Sequence, residues 1–102
     1  MHSTQSDVLI RILRVNGKSL VGIKIELPNA PPLLVVKGEK GFVMCGYLNM
    51  HVAEELGVLA AIVKGISSID ELLEKEIAES TSKAREHGIF PGAKVKQILD
   101  RL

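Results

Sequence analysis

The one good nucleophile or soft metal ligand in this chain of 102 residues is Cys45. It sits in Gly41-Phe42-Val43-Met44-Cys45-Gly46-Tyr47-Leu48-Asn49, an apolar run closed by the single cysteine, a glycine and a helix-capping asparagine. The pattern places a thiol where a strand gives way to a helix, a position at which backbone amides and the helix dipole favour thiolate. Open sheets with parallel strands also hold their ligands at strand C-termini. Cys45, Gly46, Tyr47 and Asn49 are therefore the candidate ligand-binding residues, with Cys45 the candidate nucleophile. Free cysteine is also among the most buried residue types, so plain packing is the reading that any chemistry must displace. His51 is the candidate base. Six residues along, across a helix cap, it points elsewhere and is better placed to pair with Glu55 one turn on.

Other chemistries find little support. Cys45, His2, His51 and His87 are scattered over three regions without the spacing of a zinc site, so no metal is expected, and no cofactor is called for. Gly38-Glu39-Lys40-Gly41 lacks the spacing of a phosphate loop, and Gly41 to Gly46 fails the dinucleotide fingerprint; both read as turn and strand-end glycines. Lys40, Lys64 and Arg85 read as solvated cations, and Glu54-Glu55 and Glu74-Lys75-Glu76 as exposed helix faces. Thirteen Lys+Arg balance twelve Asp+Glu, which argues against a nucleic-acid partner, and an aromatic content of 3% leaves no stacking platform. A lone cysteine forms no internal disulfide, and no apolar run approaches the 18 or so residues of a membrane span. A soluble, cytoplasmic protein with no membrane partner is expected.

The elements that position Cys45 follow from pattern. Residues 1–6 are polar and aperiodic, a terminus expected to fray ahead of one domain over 7–102. Val8 to Val15 and Lys18 to Leu27 flank Asn16-Gly17, the signature of a two-residue hairpin, which sets Val15 against Lys18, Leu13 against Leu20, Ile12 against Val21, Ile10 against Ile23 and Val8 against Ile25. One face then carries Val8, Ile10, Ile12, Val21, Ile23 and Ile25. The other mixes Leu9, Leu13, Val15 and Leu20 with Arg11, Lys18 and Lys24. This second face is too apolar for water and too charged for a core, so it is the expected interface, with cover by the chain itself as the alternative.

Pro28 to Pro32 reads as a connector, because three prolines in five residues remove ladder amides. A second hairpin, Leu33 to Lys37 and Phe42 to Cys45, turns at residues 38–41. Asn49 caps a short helix from Met50 to Leu56, stopped by Gly57, and Val58 to Val63 is apolar throughout, as a strand buried on both faces must be. Residues 42–63 thus form a strand-helix-strand unit with a parallel pair. Ser68-Ile69-Asp70-Glu71 opens a helical segment running through Leu72, Leu73, Ile77, Thr81 and Ala84 to His87-Gly88, with room for a break near Glu76. After Phe90-Pro91-Gly92, the stripe Val95, Ile98, Leu99 and Leu102 predicts a last helix docked on the core.

This order of parts, with Met44-Cys45-Gly46 and Ile69-Asp70-Glu71-Leu72-Leu73 as its specific segments and Gly88-Ile89-Phe90-Pro91-Gly92 near its end, resembles the YunC-like family. These are small bacterial and archaeal proteins carrying a domain of unknown function, and the similarity runs from about Ile23 to the C-terminus. The resemblance implies tetramerisation through the N-terminal β region. It brings no activity and no catalytic residue. The expectation is a single α+β domain with N-terminal antiparallel hairpins, a mixed sheet and C-terminal helices packed on it, forming a homo-oligomer, a tetramer through the residue 8–27 hairpin. Its expected function is to bind a small molecule, or to act as a regulatory module, around Cys45 and Gly46. A thiol-dependent enzyme with Cys45 as nucleophile and a purely structural assembly subunit are the rivals.

Overall fold

The computed structural model describes residues 7–102, so the expected fraying of residues 1–6 lies outside the described residues. The chain first reverses at Asn16 and Gly17, whose φ values of 50° and 80° are the left-handed pair a type I′ turn demands. That turn fixes the register of β1 (Val8–Val15) against β2 (Lys18–Leu27). Val8 faces Ile25, Ile10 faces Ile23, Ile12 faces Val21, Leu13 faces Leu20 and Val15 faces Lys18, as the sequence predicts.

The prolines depart from expectation. Instead of a free connector, the chain turns tightly at Asn29 (φ 57°) and enters β3 at Ala30, so Pro31 and Pro32 lie inside the strand Ala30–Lys37. Leu27 pairs with Ala30 and Ile25 with Leu33, which sets the two prolines opposite the single residue Glu26. The mismatch is a β-bulge, where a residue that cannot donate to the ladder costs least.

From β3 the chain turns through Gly38–Lys40 into β4 (Gly41–Met44), crosses through α1 (Met50–Leu56), and returns as β5 (Leu59–Ile62), parallel to β4. Each boundary has a local cause. Asn49 Oδ1 accepts the Val52 N–H at 3.2 Å to start α1, and Gly57 at φ 72° ends it. Gly41 is needed because any Cβ there would collide with the Leu59 carbonyl. β5 is buried along its whole length, as its apolar run requires.

The helical segment expected beyond Gly65 is interrupted. α2 spans only Ile69–Glu74, and α3 spans Ser82–Glu86. Ser68 Oγ accepts the Glu71 N–H at 3.0 Å, while the Glu71 carboxylate turns to the Ser67 N–H at 2.8 Å instead of closing the capping box on Ser68. The break between the helices supplies what β5 lacks on its outer side. The Ala78 N–H donates to the Ile62 carbonyl at 2.8 Å, and β6 (Glu79–Ser80) pairs antiparallel with β5. Thr81 closes the junction: its hydroxyl donates to the Val58 carbonyl at 2.8 Å and accepts the N–H groups of Ala60 and Ala84 at 3.2 Å each. A continuous helix would leave those β5 groups without partners, which is why the break wins over local propensity.

The last segment also changes form. Val95–Gln97 and Leu99–Arg101 are 3₁₀ turns, closed by bonds such as Ile98 N–H to the Val95 carbonyl at 2.9 Å. Three residues per turn put Val95 above Ile98 and Leu99 above Leu102, and all four are buried as the stripe predicts. The segment is held at both ends, by the Val95 N–H on the Lys75 carbonyl and by the Leu102 carbonyl accepting from Lys40 and Gly41.

The six strands form one mixed sheet in the order β1-β2-β3-β4-β5-β6. Its core face joins Leu20, Leu34, Val36 and Val43 to Ile69, Leu72, Ile77 and Ala84 and to the four buried residues of the C-terminal turns. This overturns the face chosen as the interface. Leu20 is 2% exposed, Ile69 packs where a Cβ on Gly22 would stand, and Lys18 Nζ donates to the Asp100 carbonyl at 2.9 Å. Arg11 reaches Asp70 of α2 at 2.8 Å, so the charges on this face lie at its rim and are paired there rather than marking an interface. The opposite face of the hairpin, apolar except for Arg14 and Ser19 at the turn end, is left open among the described residues, with Ile10 64% and Ile12 57% exposed.

Candidate functional site

The parallel pair decides where the site lies. Met44 stands beside Ile62, so the chain leaves β4 at Cys45 next to the place where it leaves β5 at Val63 and Lys64. The proline bulge of β3 approaches from the other side. The result is an open groove of about 440 Å³ lined by Pro31, Pro32, Cys45, Gly46, Tyr47 and the Lys64–Ile66 segment.

Cys45 forms part of its floor and is 6% exposed. Its sulfur accepts the Leu34 N–H at 3.3 Å and lies 4.0 Å from the Pro32 carbonyl, toward which its S–H can donate. Its own backbone N–H donates to the Leu34 carbonyl, so residue and sulfur are both fastened to β3. Tyr47 closes one rim, its hydroxyl donating to the Pro31 carbonyl at 2.7 Å. The bulge thus turns two proline carbonyls toward the two side chains that follow β4. Gly46 is exposed between them and does not carry positive φ. A Cβ there would meet nothing within 4 Å.

Asn49 and His51 do not join this groove. Asn49 is occupied with the cap of α1, and His51 Nε2 lies 3.5 Å from the Glu55 carboxylate on an exposed helix face. No hydrogen bond links His51 to Cys45 among the described residues. Sequence reasoning missed Lys64, whose Nζ lies 3.6 Å from Glu79, and the apolar Ile66 wall. The parallel register carried the signal for both, since it aligns whatever follows β5 with Cys45 and Gly46.

Chemically, the groove offers proline, tyrosine and isoleucine walls, one ammonium at the edge and one thiol in the floor. Among the described residues no three His, Cys, Asp or Glu side chains gather as a metal site. The carboxylates held below their ordinary range lie elsewhere, each lowered first by a hydrogen bond: Asp70 by Arg11, Glu71 by Ser67 and Glu54 by Ser82.

An α+β domain with a long antiparallel N-terminal sheet and a short parallel strand-helix-strand unit is thus the class that fold and groove define. Residues 44–102 match the model of a domain of unknown function, DUF1805, and the chain belongs to that family. It is 25% identical over 91 residues to the uncharacterized protein YunC of Bacillus subtilis (strain 168), covering 85% of this chain and 89% of that protein. It also resembles the crystal structure of a protein of unknown function from Thermoplasma acidophilum, with a TM-score of 0.88 and 36% identity over 93% of this chain and 92% of that one. The YunC-like resemblance read from Met44-Cys45-Gly46 and Ile69–Leu73 is therefore correct.

Among the described residues no helix is long and apolar enough to cross a membrane.

Proposed function

We propose that this protein is a cytoplasmic, non-catalytic binding module that takes a small molecule with an apolar body and one acidic or carbonyl group into the Cys45 groove. The observation that carries this reading is the make-up of the groove: apolar walls from Pro31, Pro32, Tyr47 and Ile66 with a single ammonium, Lys64, at the edge. Concave sites with mostly apolar linings and few polar groups are the usual form of small-molecule pockets. The rival thiol enzyme is less well supported, because among the described residues the Cys45 sulfur has only a backbone amide and a backbone carbonyl as hydrogen-bond partners, with no base beside it.

The test is a thermal-shift screen of small aliphatic and aromatic carboxylic acids, repeated on Cys45→Ser and Lys64→Gln. The binding module keeps most of its affinity in Cys45→Ser and loses it in Lys64→Gln. Rapid alkylation of native Cys45 near neutral pH, together with loss of turnover in Cys45→Ser, would instead establish the enzyme.

A specific observation also favours self-association. Val8, Ile10 and Ile12 are exposed on the open face of the hairpin, with Val21, Ile23 and Ile25 half-buried beside them. An apolar face of this extent is what an interface covers. A second copy placed there, in the homotetramer that the family resemblance implies, makes residues 8–27 the assembly element, through the face opposite to the one first expected.

A further inference from the structure

A second groove, of about 460 Å³, opens between the β3–β4 turn, the start of β5 and the end of α3. Three lysines reach it from separate elements: Lys37 from the end of β3, Lys40 from the turn and Lys83 from α3. Among the described residues none of the three is in an ion pair, whereas Lys24, Lys64, Lys94 and Lys96 each have a carboxylate partner. Glu39 is the one carboxylate in the lining, so these residues leave two positive charges facing a common space. His87 joins them. Its Nδ1 lies 3.0 Å from the Lys83 carbonyl, and since a carbonyl only accepts, that nitrogen carries the hydrogen and Nε2 remains for another partner.

The turn amides are already used. Gly38 N–H donates to the Gly41 carbonyl, and the Lys40 and Gly41 N–H groups donate to the Leu102 carbonyl. Recognition in this groove falls to side chains, not to a backbone nest. Phe42 and Val58, both half-buried, supply an apolar wall.

We propose that this groove binds a small phosphate monoester, its phosphate among Lys37, Lys40 and Lys83 and its organic part against Phe42 and Val58. Cations gathered in excess of their counter-charges repel one another, and an anion relieves that repulsion. A carboxylate neutralises one charge. A phosphate monoester carries roughly −1.5 to −2 near pH 7 and presents three acceptor oxygens, which matches both the charge and the number of ammonium groups. The volume lies in the range of roughly 300–1,000 Å³ common for small-ligand sites. A polynucleotide needs basic residues spread along a surface, and the near-balanced charge of the whole chain provides no such track.

Glycerol 3-phosphate and adenosine monophosphate, titrated into the folded protein and followed by calorimetry or amide NMR, test this. Saturable binding is expected. In Lys37→Gln/Lys83→Gln it weakens about tenfold or more, while Lys94→Gln/Lys96→Gln, which removes the same charge elsewhere, leaves it unchanged. All four lysines are exposed, so both variants keep the native melting transition, and Lys40→Gln alone gives a second reading with a smaller loss. No binding by either monoester, equal weakening in both double variants, or affinity for single-stranded oligonucleotides that rises with length and displaces the monoester would each overturn the proposal.

Discussion

The two faces of the N-terminal hairpin are built from the same β-branched and aliphatic residues, and they meet opposite fates. The mixed face, with Leu13, Leu20 and Gly22, is covered by α2 and the C-terminal turns. The opposite face, with Ile10, Ile12 and Ile23, is covered by nothing among the described residues. Charge content therefore fails as a guide to which face a monomer buries. Arg11 and Lys18 are long enough to carry their charges to the rim, where Asp70 and the Asp100 carbonyl meet them, while their stems lie along the apolar surface. What decides cover is room for the covering element, and Gly22 provides it: a Cβ there would stand 3.2 Å from Ile69 Cδ1.

The strongest way to break this contrast is to place the same charge on each face in turn. Leu20→Lys buries an ammonium in the core, and a domain with roughly 5–15 kcal/mol of stability is not expected to survive it. Circular dichroism should show no cooperative melt, and the milder Leu20→Ala should cost about 2–5 kcal/mol. Ile10→Lys with Ile12→Lys should leave the fold intact and lower the mass measured by light scattering. An unchanged mass for that folded variant would remove the open face from the assembly.

Smaller changes sharpen the comparison. Gly22→Val forces Ile69 aside and should cost about 1–3 kcal/mol by chemical denaturation, since overpacking is only partly relieved by repacking. Gly46→Val at the Cys45 groove, where an added Cβ meets nothing, should leave stability within about 0.5 kcal/mol while reducing carboxylic-acid binding in the thermal-shift screen.

The smallest effect concerns acid. Asp70, Glu71 and Glu54 are held below their ordinary range by hydrogen bonds from Arg11, Ser67 and Ser82, so the unfolded chain takes up protons before the folded one does. Their contribution is complete above the unfolded carboxylate range of about pH 4–4.5 and is lost as pH falls through the lower folded values. Asp70→Asn should flatten the acid limb of the stability profile slightly, lowering stability a little near pH 7 and leaving it unchanged once pH has fallen below the folded carboxylate range.

Much of this was legible in the residues themselves. Asn16-Gly17 set the hairpin register because only one turn geometry suits that pair, and Asn49 and Gly57 bounded α1 because their side-chain and backbone preferences are local. Local preference allowed a break near Glu76, and α2 ends at Glu74, but it could not foresee what the break is for. The break exists to complete the far edge of β5, a requirement set by a strand well before it in the chain. Pro31 and Pro32 read as a connector because the lone partner opposite them, Glu26, is visible only in the paired ladder. The Cys45 groove was half legible. Cys45, Gly46 and Tyr47 line it, Asn49 and His51 do not, and Lys64 entered through the parallel register of β4 and β5.

The contact between the C-terminal turns and the β3–β4 turn sets an order of assembly. The Asp100 carbonyl meets Lys18 across 82 residues of chain, and the Leu102 carbonyl meets the amides of Lys40 and Gly41. Hairpins form in roughly 1–10 μs, whereas a closure spanning most of the chain must wait for what lies between. The Lys40 and Gly41 amides thus act as clocks for the final step: in pulsed hydrogen exchange they should gain protection after the β1–β2 ladder does, and in the native state they should open together whenever the C-terminal turns lift away.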